Sequence, residues 1–87
     1  MSDLYTLRPS MIVLYRIASC PDCWRAQEFF ANRIINHLVV DVDDDPQAAE
    51  FVKQINRGFC SVPTIVFPDG DILVEPSNQQ LQVKFLV

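Results

Sequence analysis

The fold is decided by Ala18-Ser19-Cys20-Pro21-Asp22-Cys23-Trp24, which lies between an apolar run that ends at Tyr15 and a helix-like run over 25–34. This stretch marks the point where a strand turns into a helix. Proline suits the first helical position, because its φ is fixed and it has no N–H to donate. We therefore expect Cys20 to be the N-cap and Pro21 to be the first residue of the helix.

The two cysteines have the spacing of a redox dithiol. Residues at i and i+3 on a first helical turn lie within disulfide reach. A sulfur at the N-cap accepts from free N–H groups, here those of Asp22 and Cys23, and the helix dipole favours its thiolate. Since the thiolate attacks in disulfide exchange, Cys20 is predicted to be the nucleophile and Cys23 the resolving thiol. The Asp22 carboxylate opposes a second negative charge on Cys20.

A single C-x-x-C pair is also compatible with half of a zinc site or with an inert disulfide. Zinc needs about four ligands, and only Cys60 and His37 remain as candidates, neither with paired spacing. The sequence therefore favours a catalytic pair and no metal site. We expect His37 to be solvated rather than a catalytic base. Trp24, beside the cysteines, is compatible with partial burial or with a hydrophobic lip for a substrate.

The composition indicates one small globular domain. The chain has 87 residues, 49% hydrophobic and 21% charged, which allows one core. A net charge of −4 without a basic patch argues against nucleic acid and anionic membranes as partners. With no apolar run of spanning length and no signal-peptide pattern, we expect a cytoplasmic monomer. In that compartment three cysteines favour catalysis over a disulfide framework.

The apolar and turn patterns predict an α/β fold with the element order βαβαββα. The predicted strands are 11–15, 37–42, 64–67 and 72–74, and the predicted helices are 21–34, 46–56 and one that begins at 77. A helical crossover between parallel strands, followed by a hairpin, gives a four-stranded mixed sheet flanked by helices. Residues 1–10 precede this pattern, so we expect a peripheral N-terminal extension and a domain over 11–87.

Helix faces and ends can also be predicted. The first helix is expected to bury a stripe that includes Cys23 and Ile34. Gly58 is expected just after the second helix, at the position that favours a left-handed residue. Ser77 followed by Gln80 predicts a capping box at the start of the last helix.

Two motifs together resemble a known family. C-P-x-C after the first strand, with Val62-Pro63-Thr64 before the third, is similar to the glutaredoxin branch of the thioredoxin fold. The resemblance covers 11–87. Within that branch, Phe67-x-Asp69-Gly70 and Pro76-Ser77 are most similar to mycoredoxins and related short bacterial glutaredoxin-like proteins.

The resemblance implies a site in which Cys20 is exposed and Cys23 is buried. It further implies that the bond before Pro63 is cis, that the backbone beside it pairs with an extended thiol-peptide substrate, and that the last helix holds a substrate carboxylate on its free N–H groups. The implied substrate-binding residues are Pro21, Val62, Pro63, Ser77 and Asn78. Cys60, three residues before Pro63, is expected to be a small half-buried residue, with a regulatory or third exchange thiol as the alternative.

The resemblance also implies an activity. Such a protein reduces protein or low-molecular-weight mixed disulfides, binds no cofactor, and uses glutathione or mycothiol as co-substrate. Its partners are disulfide-containing or thiolated proteins and a reductase system. Two alternatives remain open: a hydrogen donor for ribonucleotide reductase that is recharged by thioredoxin reductase, and an iron–sulfur-binding relative.

Overall fold

The predicted element order is confirmed by a computed structural model, which describes residues 3–85. The strands are β1 (Ile12–Arg16), β2 (His37–Asp41), β3 (Thr64–Val66) and β4 (Ile72–Val74). The helices are α1 (Pro21–Asn32), α2 (Pro46–Ile55) and α3 (Asn78–Lys84). The predicted bounds of β4 coincide with these, and the other predicted bounds differ from them by at most two residues.

The four strands form one mixed sheet in the order β2-β1-β3-β4. β1 pairs in parallel with β2, and β3 is antiparallel to both β1 and β4. β1 is therefore central, and both of its faces are covered. This explains its continuous apolar sequence, because successive side chains point to opposite faces of a sheet.

Two hydrophobic clusters lie on the two faces of the sheet. The first joins β1 and β3 to α1 and α3, and its buried members are Ile12, Leu14, Ala26, Phe29, Phe30, Ile65, Phe67 and Leu81. The second joins β1, β2 and β3 to α2, and its buried members are Val13, Tyr15, Val40, Val42, Ala48, Phe51, Val52 and Val66. The element order βαβαββα, the strand order β2-β1-β3-β4 and helices on both faces of the sheet together are those of a thioredoxin fold.

The prediction that Ile34 belongs to the buried face of the first helix is wrong. α1 ends at Asn32, and Ile34 has φ 55° and is 91% exposed. The Ile35 N–H donates to the Phe30 carbonyl at 3.0 Å, which is a Schellman ending with Ile34 in the left-handed position. Ile35 then packs against the first cluster in its place.

The end of α2 also lies one residue earlier than predicted. Arg57, with φ 58°, takes the left-handed position that was assigned to Gly58. Gly58 follows with φ 96°, and its N–H donates to the Lys53 carbonyl at 2.6 Å. This is the same kind of ending, and it uses two successive left-handed residues.

Residues 3–10 contain turns and bends, and part of this segment lies against the second cluster. Leu4 and Tyr5 pack on it, and the Tyr5 N–H donates to the Tyr15 hydroxyl at 3.1 Å. The Tyr5 hydroxyl donates to the Asp45 carboxylate, which caps α2 through Ala48. The independence of the domain from residues 1–10 stays a prediction. No helix within 3–85 has the length and apolar character needed to cross a membrane.

Candidate redox site

Cys20 is the N-cap of α1, with Pro21 as the first helical residue, and both predictions are confirmed. Its backbone is extended, with φ −96° and ψ 110°, and its sulfur accepts from the Cys23 N–H at 3.1 Å. The thiol is half-exposed and free. It therefore combines access from solvent with a position at the positive end of a helix, where a negative charge is stabilised.

Cys23, one turn further along α1, is fully buried and also free. Burial, and after it the contact with Cys20, raise the pKa of this thiol from 9.0 to about 12. The Ile17 N–H and the Arg16 charge act in the opposite direction. The two thiols thus lie close together in unequal environments.

The loop before β3 lies beside Cys20. Because β3 is antiparallel to β1, the first residue of β3 lies at the same end of the sheet as the last residues of β1. The Val62–Pro63 bond is cis, as the resemblance implied, and the Cys20 thiol lies 3.9 Å from the Val62 carbonyl oxygen. The Pro63 carbonyl accepts from the Glu75 N–H at 2.8 Å.

The start of α3 is joined to α1. The predicted capping box is confirmed, because the Ser77 hydroxyl accepts from the Gln80 N–H at 3.1 Å and the Gln80 side chain accepts from the Ser77 N–H at 2.8 Å. The Ser77 N–H is therefore already used within the chain. Arg25 on α1 donates to the Asn78 side chain at 3.0 Å and to the Pro76 carbonyl at 3.2 Å.

Arg16 and its contacts were not predicted from the sequence. Its guanidinium donates to Gln27 Oε1 at 2.9 Å, lies 4.7 Å from the centroid of the Trp24 ring and is 3.9 Å from an Asp41 oxygen. Trp24 is 51% exposed, and its indole N–H donates to the Ala18 carbonyl at 2.7 Å. Partial burial of Trp24 is thus observed, with one part of its surface left open beside the cysteines.

Two residues differ from their predicted environments. His37 is half-buried rather than solvated, because its ring packs 4.9 Å from the Phe30 ring and Nδ1 lies 2.9 Å from the Ile35 carbonyl oxygen. Cys60 is exposed rather than half-buried, because the segment between α2 and the cis bond runs over the surface. Within residues 3–85, no group of three or more His, Cys, Asp or Glu side chains is arranged to hold a metal ion.

A thioredoxin fold with a half-exposed thiol at a helix N-cap and a buried thiol one turn away defines a thiol–disulfide redox protein. The family model for glutaredoxin matches residues 12–73. The chain belongs to the glutaredoxin family, and it is a glutaredoxin-like thiol–disulfide oxidoreductase with a close Cys20–Cys23 pair.

Similar proteins agree with this assignment. The chain is 32% identical over 75 residues to a Mycobacterium tuberculosis protein provisionally named a glutaredoxin. The aligned region covers 86% of this chain and 89% of that protein. It is 31% identical to mycoredoxin 1 of Corynebacterium glutamicum, over 86% of this chain and 92% of that protein. The crystal structure of a thioredoxin-like protein superposes with a TM-score of 0.73 at 26% identity, over 83% of this chain and 96% of that chain.

Proposed function

We propose that this protein reduces mixed disulfides between proteins and a low-molecular-weight thiol, glutathione or mycothiol, in the cytoplasm. The observation that carries the proposal is the contrast between half-exposed Cys20 at a helix start and buried Cys23 with its raised pKa. Only an accessible thiolate can attack a protein-bound disulfide. Similarity to mycoredoxin 1 supports including mycothiol as a candidate thiol.

The reaction proceeds by two exchanges. The Cys20 thiolate attacks one sulfur of the mixed disulfide, and the bonding electron pair leaves with the other sulfur, which takes a proton from water. Cys20 then carries a mixed disulfide. When the group bound to Cys20 is the low-molecular-weight thiol, a second molecule of that thiol attacks its sulfur, which frees Cys20 and forms the disulfide of the small thiol. Alternatively, Cys23 attacks the Cys20 sulfur, which forms the Cys20–Cys23 disulfide and releases the bound thiol. A reductase system then reduces the disulfide of the small thiol, or the Cys20–Cys23 disulfide, back to thiols.

The loop before β3 and the start of α3 are proposed to hold the substrate. The Val62 carbonyl oxygen is 3.9 Å from the Cys20 thiol, so a chain extended along Val62 and Pro63 would bring its sulfur to Cys20. Because Pro21 has no N–H, the first helical position offers no donor that could compete with the Cys23 N–H for the Cys20 sulfur. At α3, Ser77 acts through its cap and Asn78 provides a free N–H for a carboxylate, since the Ser77 N–H is taken by Gln80.

The test is the turnover of a glutathionylated peptide and of the same peptide carrying mycothiol. In each assay the protein is recycled by the matching low-molecular-weight thiol, the reductase for the disulfide of that thiol, and NADPH. The proteins compared are the Cys60→Ser protein as the parent and its Cys20→Ser and Cys23→Ser variants. Cys60 is replaced in all three, because an exposed third thiol would add its own exchange.

We expect turnover with at least one of the two peptides, lost entirely in Cys20→Ser. Retention in Cys23→Ser would mean that the external thiol resolves Cys20, and loss would mean that Cys23 does. No turnover with either peptide, combined with rapid reduction of the Cys20–Cys23 disulfide by thioredoxin reductase, would reject the proposal in favour of a thioredoxin-reductase-linked hydrogen donor.

A further inference from the structure

Arg16 is held more tightly than a surface arginine. Its side chain is 19% exposed, and its guanidinium is fixed by Gln27 and by the Trp24 ring. Its Nε is buried and has no hydrogen-bond partner among residues 3–85. A buried donor without a partner destabilises a fold, and an apolar side chain could fill this space without that cost. Packing alone therefore does not account for an arginine here.

The guanidinium lies along the face of α1 that carries Cys23. Gln27 is four residues after Cys23 and so follows it on the same face of the helix, and Trp24 is its direct neighbour. Arg16 contacts both of these residues, and the backbone N–H of the next residue, Ile17, lowers the pKa of the Cys23 thiol. The Arg16 charge lowers the pKa of Cys23, against burial and Cys20, which raise it.

We propose that Arg16 is a positioning residue for resolution, whose guanidinium stabilises the negative charge that Cys23 carries when it attacks the mixed disulfide on Cys20. The inference rests on the proposed function, in which Cys23 can resolve that disulfide. In this step Cys23 first releases its proton to water. Its sulfur then forms the bond to Cys20, and the departing thiolate leaves with the electron pair of the broken S–S bond and takes a proton from water.

The other charges near Cys23 leave this role to Arg16. Within residues 3–85, the side chains whose charge acts on the Cys23 thiol are Cys20, at the N-cap, and Arg16, from β1. Cys20 is uncharged while it carries a mixed disulfide. Asp41 on β2 lies 3.9 Å from Arg16 and offsets part of its charge, and the Asp22 carboxylate is paired with Arg25 at 3.3 Å.

The test separates the two thiol steps with Ellman's reagent in stopped flow at pH 6 to 9. Attack by Cys20 releases one thionitrobenzoate, and attack by Cys23 on the resulting adduct releases a second. The parent is the Cys60→Ser protein, in which the exposed third thiol adds no signal. It is compared with its Arg16→Met variant, which removes the charge and keeps the length, and its Arg16→Lys variant, which keeps the charge.

We expect the second release to be about fourfold slower in Arg16→Met at each pH, with the first release changed less than twofold. The reason is that about tenfold less Cys23 thiolate is partly offset by the greater nucleophilicity of a more basic thiolate. Arg16→Lys should restore the second release to within twofold of the parent. An unchanged second release in Arg16→Met, or a loss that Arg16→Lys does not restore, would overturn the role of the charge.

Failure of the proposed function would be visible separately, as no turnover of either mixed-disulfide peptide, whereas a missing second release in the Cys60→Ser parent would show only that Cys23 does not resolve Cys20. The role of Arg16 is then decided by NMR titration of ¹³Cβ-labelled Cys23 in the Cys20→Ser, Cys60→Ser protein. Arg16→Met should shift the ionisation of Cys23 to higher pH, and Arg16→Lys should not. If Cys23 titrates identically in the protein that retains Arg16 and in the Arg16→Met variant, the inference is rejected.

Discussion

Cys20 and Cys23 are three residues apart, yet the helix gives their thiols opposite properties. The sulfur of Cys20 lies outside the first turn and accepts from an N–H of that turn, so a negative charge there is stabilised. The sulfur of Cys23 points into the protein, where burial penalises the thiolate. One attacking thiol and one protected thiol therefore follow from a single helix start.

The raised pKa of Cys23 predicts a loss of stability in alkali. Below pH 9 the thiol is protonated in both folded and unfolded chains. Between its usual value of 9.0 and its folded value of about 12, the unfolded chain gives up the proton and the folded chain keeps it. Stability therefore falls as pH rises through this window. The full shift corresponds to about 4 kcal/mol, which partial ionisation and solvent screening reduce to about 2 kcal/mol at pH 11.

The measurement is urea unfolding of the reduced protein at pH 8 and pH 11. Cys23→Ala serves as the matched control, because it removes the ionisable sulfur and leaves the other titrating groups in place. We expect the stability difference between wild type and Cys23→Ala to shrink by about 2 kcal/mol at the higher pH. A difference that stays constant would show that Cys23 ionises as easily in the folded chain as in the unfolded one.

At the scale of elements, Thr64 ties the loop beside Cys20 to α2. Thr64 is fully buried at the first position of β3. Its hydroxyl donates to the Ser61 carbonyl at 2.7 Å and accepts from the Asn56 side chain at 3.1 Å. Asn56 is the C-cap of α2, so this hydroxyl links a helix end, the loop with the cis bond and a central strand.

Replacement of Thr64 by Val should loosen this loop. Valine has a similar shape but leaves the Ser61 carbonyl and the Asn56 amide without their partner, which costs about 2 kcal/mol. We expect that loss in urea unfolding, together with lower kcat/KM for the mixed-disulfide peptide, because the Val62 backbone is less well placed. Thr64→Ser keeps the hydroxyl and should keep turnover near that of wild type. Full turnover in Thr64→Val would mean that the loop is positioned without this hydroxyl.

The elements that were predicted correctly carry local chemical signals. Pro21 after Cys20 and Ser77 before Gln80 mark helix starts through contacts between residues close in sequence. Ile34 was placed wrongly because no glycine marks that helix end, and an isoleucine in the left-handed position is rare. Arg16 received no role because its contacts with Gln27 and Asp41 depend on how β1, α1 and β2 are packed, which periodicity does not describe.

At the scale of the whole molecule, strand order assembles the site. The C-terminal ends of β1 and β2 and the N-terminal end of β3 lie at one end of the sheet, because β1 and β2 are parallel and β3 is antiparallel to β1. The start of α1 and the loop with the cis bond therefore meet at that end, although they are about forty residues apart in the sequence. The motifs predicted this proximity only through the resemblance to a family, since no local pattern specifies it.

Whether residues 1–10 belong to the folding unit also depends on contacts across the whole molecule. Leu4 and Tyr5 pack on the second cluster, and Tyr5 bonds to Tyr15 and Asp45. We expect a chain that begins at Met11 to fold cooperatively, because both clusters remain, but with a thermal midpoint about 5 °C lower, since these contacts are lost. Tyr5→Phe should lower the thermal midpoint by only part of that amount, because it keeps the packing of the ring and the hydrogen bond from its N–H to Tyr15. Scanning calorimetry of the three reduced proteins measures this, and a truncated chain without a cooperative transition would make residues 1–10 part of the domain.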